Sequence, residues 1–388
     1  MEDIQNISLI GHEDCFGCSA CGNICPKKCI YFCTDKEGFN FPHVSNECIN
    51  CGLCLKVCPV INKSLSTAAE VYATKSLNLN NLRQASSGGV FLECANFGIE
   101  NNYKIHGASY SIDFESVSHI YVPDQGYLFN LIGSKYVQSD LGLQFKVIKE
   151  QLNRGEMVIF SGTPCQVMGL KNYMRKDYDN LILIDLLCHG VPSPGIFKQY
   201  IQAIKEKFGE IKKINMKDKE DGWGHQKPKI VLQNGTTVPK YYSSLWNKIF
   251  YSRFCLRPSC YTCPFTSTNR AGDLSIGDFW GIEKVHPDFY DKNGVSLVLV
   301  NTEKGSSFFK KIRSRFCLKE SSLEECLQQA LEYPIDAPIE RKNFWNMFYS
   351  HGFSRTVEFI WGVRFGSKSI SLWSKLIRKL KVYIKRWQ

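Results

Sequence analysis

From residue 71 to about residue 349, short apolar runs alternate with stretches in which apolar positions recur every three or four residues. Met157–Phe160 and Leu181–Leu187 are apolar runs of strand length, the pattern of strands buried on both faces. Val71–Thr74 predicts another strand. Ser86-Ser87-Gly88-Gly89 then opens an apolar helical stretch, Val90–Phe97, and Ile196–Phe208 has the period of an amphipathic helix. This alternation predicts an α/β body with a mixed sheet. Residues 1–66 read differently. There Ile30–Cys33 and Phe39–Phe41 flank a turn at Asp35–Gly38, which predicts a short hairpin. Residues 62–70 are small and polar and read as a linker. In Ile370–Gln388, Leu372, Trp373, Leu376, Ile377, Leu380, Tyr383, Ile384 and Trp387 fall on one helical face, with Lys and Arg on much of the rest. The expected units are 1–66, 67–150 and 151–345, the last two forming one body, and a tail over 346–388.

No apolar run approaches the roughly 20 residues of a membrane span. Met1–Gln5 has neither the basic nor the apolar region of a signal peptide, so a cytoplasmic location is expected. The formal net charge is +11, which first suggests nucleic acid. Residues 353–388 hold nine Lys/Arg and one Glu, a net +8, so the other 352 residues carry only +3. A nearly neutral body argues against nucleic acid as a partner. The tail has the composition of an interfacial helix, which predicts peripheral contact with the inner face of a membrane through 370–388. Docking of the same apolar face on the body or on a partner subunit is the competing expectation.

Cysteine changes the picture most. There are 18, and ten lie between Cys15 and Cys58. In a reducing compartment that density points to metal ligation. Cys15-Phe-Gly-Cys18-Ser-Ala-Cys21-Gly-Asn-Ile-Cys25-Pro26 is repeated 33 positions later as Cys48-Ile-Asn-Cys51-Gly-Leu-Cys54-Leu-Lys-Val-Cys58-Pro59. Both copies have the C-x2-C-x2-C-x3-C-P spacing of bacterial two-cluster ferredoxins. Three cysteines at i, i+3 and i+6 wrap one cubane, and the cysteine before proline reaches to the other. One [4Fe–4S] cluster would take Cys15, Cys18, Cys21 and Cys58, and a second Cys48, Cys51, Cys54 and Cys25. Zinc usually takes two separated C-x2-C knuckles instead. Cys29 and Cys33 fall outside the spacing and read as small buried residues.

Cys165 and Cys188 each follow a predicted buried strand, where open α/β sheets bind ligands. With Cys260-Tyr-Thr-Cys263 they would complete a third four-thiolate site. Equally, the strand-end thiols could be packing residues and the C-x2-C a zinc or redox pair. Cys255 competes as a ligand. Cys94, Cys317 and Cys326 lie in helical patterns and read as core.

With these motifs, residues 1 to about 340 resemble the coenzyme F420 hydrogenase/dehydrogenase beta-subunit family, including the two-cluster ferredoxin module many members carry. The resemblance rests on Ser86-Ser87-Gly88-Gly89-Val90, Gly133–Ser139, Ser161-Gly-Thr-Pro-Cys165-Gln166, Cys188-His-Gly-Val-Pro192, and Cys260–Cys263 with Gly277-Asp-Phe-Trp-Gly281. It implies an α+β ferredoxin-like module followed by an α/β flavoprotein body. It also implies FAD and a third [4Fe–4S] cluster held by Cys165, Cys188, Cys260 and Cys263. Ser86, Ser87, Gly88 and Gly89 would present N–H groups at a helix N-terminus to the FAD pyrophosphate. Gly133, Ser134, Lys135, Tyr136 and Ser139 would clamp it, with Thr163 and Pro164 nearby. Read without the family, Ser-Ser-Gly-Gly is an N-cap and Lys135 a solvated charge. Lys135, Tyr136 and His189 are the candidate proton donors.

The resulting expectation is an FAD-dependent iron–sulfur oxidoreductase. Clusters move single electrons and most organic reductions need two, so a flavin belongs between them. A soluble electron carrier or a partner oxidoreductase subunit would exchange electrons with the ferredoxin-type pair. The two-electron substrate would be an F420-like deazaflavin or another compound, such as a polysaccharide-linked one. The alternative is a non-catalytic electron-transfer subunit of a larger hydrogenase or dehydrogenase.

Overall fold

The computed structural model describes residues 5–225 and 227–366. The cysteine-rich block begins with α1 (Ala20–Ile24), continues through the antiparallel hairpin β1 (Ile30–Thr34) and β2 (Asn40–Val44), and ends with α2 (Leu53–Lys56). The sequence duplication reappears in the backbone. Each short helix is entered through a left-handed residue, Ser19 at φ 59° and Gly52 at φ 69°. The left-handed step folds each C-x2-C loop back towards its helix, so cysteines three apart face one space.

The body follows in order: β3 (Glu70–Ser76), α3 (Val90–Glu100), β4 (Lys104–Tyr110), β5 (Val117–Val122), α4 (Gln144–Asn153), β6 (Val158–Gly162), α5 (Pro164–Met174), β7 (Leu181–Leu186), α6 (Pro194–Phe208), β8 (Ile211–Asp218), β9 (Lys227–Leu232), α7 (Leu245–Ser252), β10 (Leu274–Asp278), β11 (Ser296–Val300), α8 (Glu303–Ile312), β12 (Phe316–Ser321) and α9 (Arg341–Trp361). Eight strands form one mixed sheet in the order β12-β3-β11-β10-β7-β6-β4-β5. The four inner strands β10, β7, β6 and β4 run parallel, and antiparallel strands flank them on both sides. Every residue of β6 and β11 is buried, which is why their sequences lack polar alternation. Parallel pairing places the carboxyl ends of β6, β7 and β10 on one edge of the sheet. There Thr163 and Pro164 start α5, the chain leaves β7 towards Cys188, and β10 ends at Asp278.

The hairpin β8–β9 stands apart from the main sheet. It shares an apolar core with α6, α7 and α9, centred on the fully buried Tyr200 and Trp246.

Several expectations change. The stretch 62–70 is tied down rather than a free linker. Ser66–Thr67 pairs with Asn269–Arg270, and Asn172 and Lys171 donate to the Asn62 and Ser64 carbonyls. The expected boundaries at 150 and 345 fall inside α4 and α9. The α9 side chains Trp345, Phe353 and Val357 are buried in the body core. Cys317 lies on β12, exposed, rather than in a helix, whereas Cys94 and Cys326 are buried as expected. The expected basic helix over 370–388 lies outside the described residues. Among the described residues no helix is long and apolar enough to cross a membrane.

Candidate metal centres

Three cavities are ringed by cysteines. The first has Cys15, Cys18, Cys21 and Cys58 in its wall. The second has Cys25, Cys48, Cys51 and Cys54. The exchange of the pre-proline cysteines between the two halves, expected from the spacing, is therefore the arrangement in space. The second cavity also has Cys29 in its wall, with Sγ 3.4 Å from that of Cys25. The spacing pattern had set Cys29 aside. Cys33 is exposed and in neither wall.

The third cavity lies at the carboxyl edge of the sheet. Cys165 enters it from the first turn of α5, Cys188 from the loop after β7, and Cys260 and Cys263 from the turn that precedes Phe265. Cys255 is fully buried in the α6–α7 core and is not in this wall. Burial raises the Cys165 thiol to about 12 and the Cys188 thiol to about 11, and it raises Cys260 and Cys263 as well. Such thiols are poor nucleophiles, which is against a reactive redox pair. Four partly buried thiols lining one cavity fit a cation that would hold them as thiolates. Four thiols around each cavity suit a polynuclear cluster with one iron per thiolate.

The three cavities form a series. The Cys54 thiol of the second ring is close enough to Cys21 and Cys58 of the first to bear on both. Phe16 stands in the wall of the first cavity and of the third. The first ring also packs directly on the body, because a Cβ on Gly169 of α5 would lie 2.9 Å from Cys18 Sγ. Arg257, which has 1% of its surface exposed, sits at the same junction and was not singled out in the sequence. Its partners lie far away along the chain, so no local pattern reveals them.

The expected flavin residues divide into two groups. Ser86 and Ser134 are brought together, with the Ser134 N–H and hydroxyl on Ser86 Oγ at 2.8 and 3.0 Å. The Gly88 N–H, however, donates to Ser296 Oγ and the Ser87 hydroxyl to the Val295 carbonyl, so these groups pin the loop to β11. A Cβ on Gly88 would lie 2.2 Å from the Thr74 carbonyl, so only glycine fits there. Gly89, at φ 92°, then starts α3 without a side-chain cap. Ser139 is elsewhere, its hydroxyl held by His119 and Gln166. Thr163 and Pro164 belong to the third cavity: Thr163 Oγ1 is 3.2 Å from Cys165 Sγ, and Pro164 is in the wall.

Lys135 is turned to the Ile132 and Gly133 carbonyls, over the Tyr110 ring. Burial lowers it to about 7. Lys219, on the hairpin arm, reaches the Leu82, Ser87 and Asn293 carbonyls, and burial lowers it to about 8. Neither forms an ion pair among the described residues. Two lysines with buried amines near the start of α3, both with lowered pKa values, fit a phosphate-bearing cofactor.

Tyr136 stacks on Phe250 at 4.7 Å, and burial raises its hydroxyl to about 12. Beyond it Lys217 is ion-paired to Asp278, whose other oxygen accepts from Trp223 Nε1 at 2.8 Å. Trp280 lies flat against Trp223, with centroids 4.9 Å apart. Asp278 and Trp280 lie in a sequence motif that carried no assigned role, and Lys217 and Trp223 carried no signal. His189 is in the wall of the third cavity and packs on Phe250. Its Nδ1 meets Gln329 Oε1 at 3.1 Å, and its Nε2 is buried with no partner. Burial and Arg253 lower its pKa. An aromatic layer of Tyr136, Phe250 and His189 thus separates the third ring from the Lys217–Asp278 pair.

Residues 155–325 match the family model that describes the C-terminal part of the coenzyme F420 hydrogenase/dehydrogenase beta subunit. An uncharacterized protein of Methanocaldococcus jannaschii is 25% identical over 345 residues, covering 76% of this chain and 86% of that protein. An uncharacterized ferredoxin of the same organism is 31% identical over 51 residues, covering 13% of this chain and 66% of that protein. A chain in the structure of the F420-reducing [NiFe] hydrogenase complex from Methanosarcina barkeri aligns with 18% identity and a TM-score of 0.45, over 76% of this chain and 92% of that one. Residues 155–325 are therefore similar to the C-terminal part of the F420 hydrogenase/dehydrogenase beta subunit, the family its motifs resemble.

Proposed function

We propose, from this family likeness over residues 155–325 and the three cysteine-ringed cavities, that the chain is an iron–sulfur flavoprotein oxidoreductase that relays electrons between its cofactors. Electrons would be exchanged between a soluble carrier or partner oxidoreductase subunit and the thiolate rings, and FAD, held at the α3 start, would supply the conversion between one- and two-electron chemistry. The observation that carries this reading is Phe16, one side chain in the walls of both the first and the third cavity. Two cofactors separated by one side chain can exchange electrons directly, whereas rings on unrelated surfaces could not serve one relay.

Each ring would hold one [4Fe–4S] cluster, which supplies reversible one-electron chemistry. The chain's own residues do the remaining work. The α3 start, Ser86, Ser134, Lys135 and Lys219 would bind the FAD phosphates. Tyr136 and His189 are the groups placed to hold or move a proton, at the phenolic oxygen and at Nε2. The substrate class is a two-electron acceptor or donor such as a deazaflavin.

Anaerobic purification with iron, zinc and flavin quantitation tests the reading. About 12 irons and one FAD per chain are expected. About eight irons would remove the body ring. Eight irons with no flavin, even after reconstitution with FAD, would favour a purely electron-carrying role.

A further inference from the structure

Two arginines are fully buried, and they are treated differently. Arg270 donates to Asp185 at 2.6 Å, with the pair 1% and 0% exposed. Among the described residues Arg257 pairs with no carboxylate. Its Nε donates to the Cys15 carbonyl at 2.6 Å, Nη1 to Gln138 Oε1 at 2.9 Å and Nη2 to the Asn40 carbonyl at 3.0 Å. The guanidinium also lies 4.2 Å over the Phe41 ring. All these partners are neutral. A buried charge without a counter-charge is costly, and arginine does not shed its proton.

The surroundings identify what would balance it. Arg257 stands in the wall of the body cavity, and its charge bears on the Cys165 thiol. On its other side it holds the C-x2-C loop of the first ring. Besides the bond to Cys15, it packs so tightly on Gly17 that a Cβ there would lie 2.7 Å from Nη1. Ser259 donates to the same Cys15 carbonyl, and Gln138 also donates to the Phe16 carbonyl. The arginine is thus fixed between two thiolate rings. A four-thiolate cubane is an anion, and its negative charge grows by one on reduction.

We propose that Arg257 is the shared counter-charge of the first and body clusters and raises the potential of both. It is a positioning and tuning residue, not a ligand. A fixed cation favours the more negative, reduced state, so both clusters would be easier to reduce than without it. None of Arg257's partners is in the wall of the second cavity. This inference rests on the rings holding clusters.

The test is an anaerobic redox titration of the full chain, followed by electron paramagnetic resonance, for the wild type, Arg257→Gln and Arg257→Lys. Iron per chain is measured first. A wild type without iron defeats the cluster reading itself. With iron present, Arg257→Gln should lower the reduced-to-oxidised ratio of two cluster populations about tenfold at their wild-type midpoints, which is about 59 mV for one electron. The third population should not move, and Arg257→Lys should keep all three near wild type. Unchanged potentials in Arg257→Gln with iron retained would overturn the proposal. Should Arg257→Gln lose iron, Arg257→Lys decides: wild-type potentials support the charge, and lowered ones overturn it.

Discussion

Arg341 forks onto Glu37 with both terminal nitrogens, Nη1 reaching Oε1 at 2.8 Å, although 304 positions separate the two residues. Glu37 is in the turn of the β1–β2 hairpin, and Arg341 begins α9. The pair therefore fastens the cysteine-rich block to the far end of the body. Burial raises the Glu37 carboxyl above its usual range despite the arginine. A raised carboxyl opposes folding as pH rises through it, so the pair fixes geometry rather than adding net stability.

Arg341→Met should leave that half-buried carboxylate unpaired. The expected cost is about 1–3 kcal/mol in urea unfolding, smaller near pH 4 where the carboxyl takes a proton. Iron per folded chain should not change, because neither residue is in a ring wall. A pH-independent cost would show that lost packing of the arginine, not the stranded charge, is responsible.

The body ring makes a four-against-one prediction. Cys188→Ser and Cys260→Ser should each remove about four irons per chain, the loss expected of one cubane. Cys255→Ser should remove none, since that thiol faces the α6–α7 core. Iron assay of the three variants decides, and iron loss from Cys255→Ser alone would exclude this set of ligands.

How much of this was legible depends on how local each signal is. The strands β6 and β7 could be read because burial on both faces leaves apolar runs. The first two rings could be read because a C-x2-C-x2-C loop brings its own cysteines to one cavity. The duplicated left-handed entries at Ser19 and Gly52 show that loop geometry follows from local sequence. Cys317 was misread because β12 is an outer strand whose residues do not show a clean period. The Arg257 bonds reach across 242, 119 and 217 positions, and no window of sequence contains both ends. Ser139 was misplaced for a related reason, as its motif neighbour Ser134 faces Ser86 while Ser139 turns inward to His119.

Cys29 gives the second ring five thiols for four places. Its Sγ is 3.4 Å from Cys25 Sγ, so it is positioned to take over the fourth place. Cys25→Ser should therefore keep most of its iron, with an altered cluster spectrum. Cys25→Ser combined with Cys29→Ser should lose about four irons. Equal loss in the single and double variants would show that Cys29 cannot reach.

Lys135 has a sign that separates a binding residue from a structural one. Burial lowers its pKa to about 7, while an unfolded lysine titrates near its ordinary value. Between those values the unfolded chain binds more protons than the folded one. Stability must then rise with pH across that window. Below about pH 7 the folded chain carries an ammonium held by two carbonyls over the Tyr110 ring. Lys135→Met removes this penalty. The flavin-free variant should melt a few degrees higher than wild type at pH 7, and the difference should shrink as pH approaches 10. The same variant should hold FAD more weakly, because a phosphate would favour the charged lysine and the methionine offers nothing in return. A residue that costs stability and helps binding has been retained for the ligand. A variant that melts lower than wild type at pH 7 and binds FAD normally would make Lys135 a packing residue.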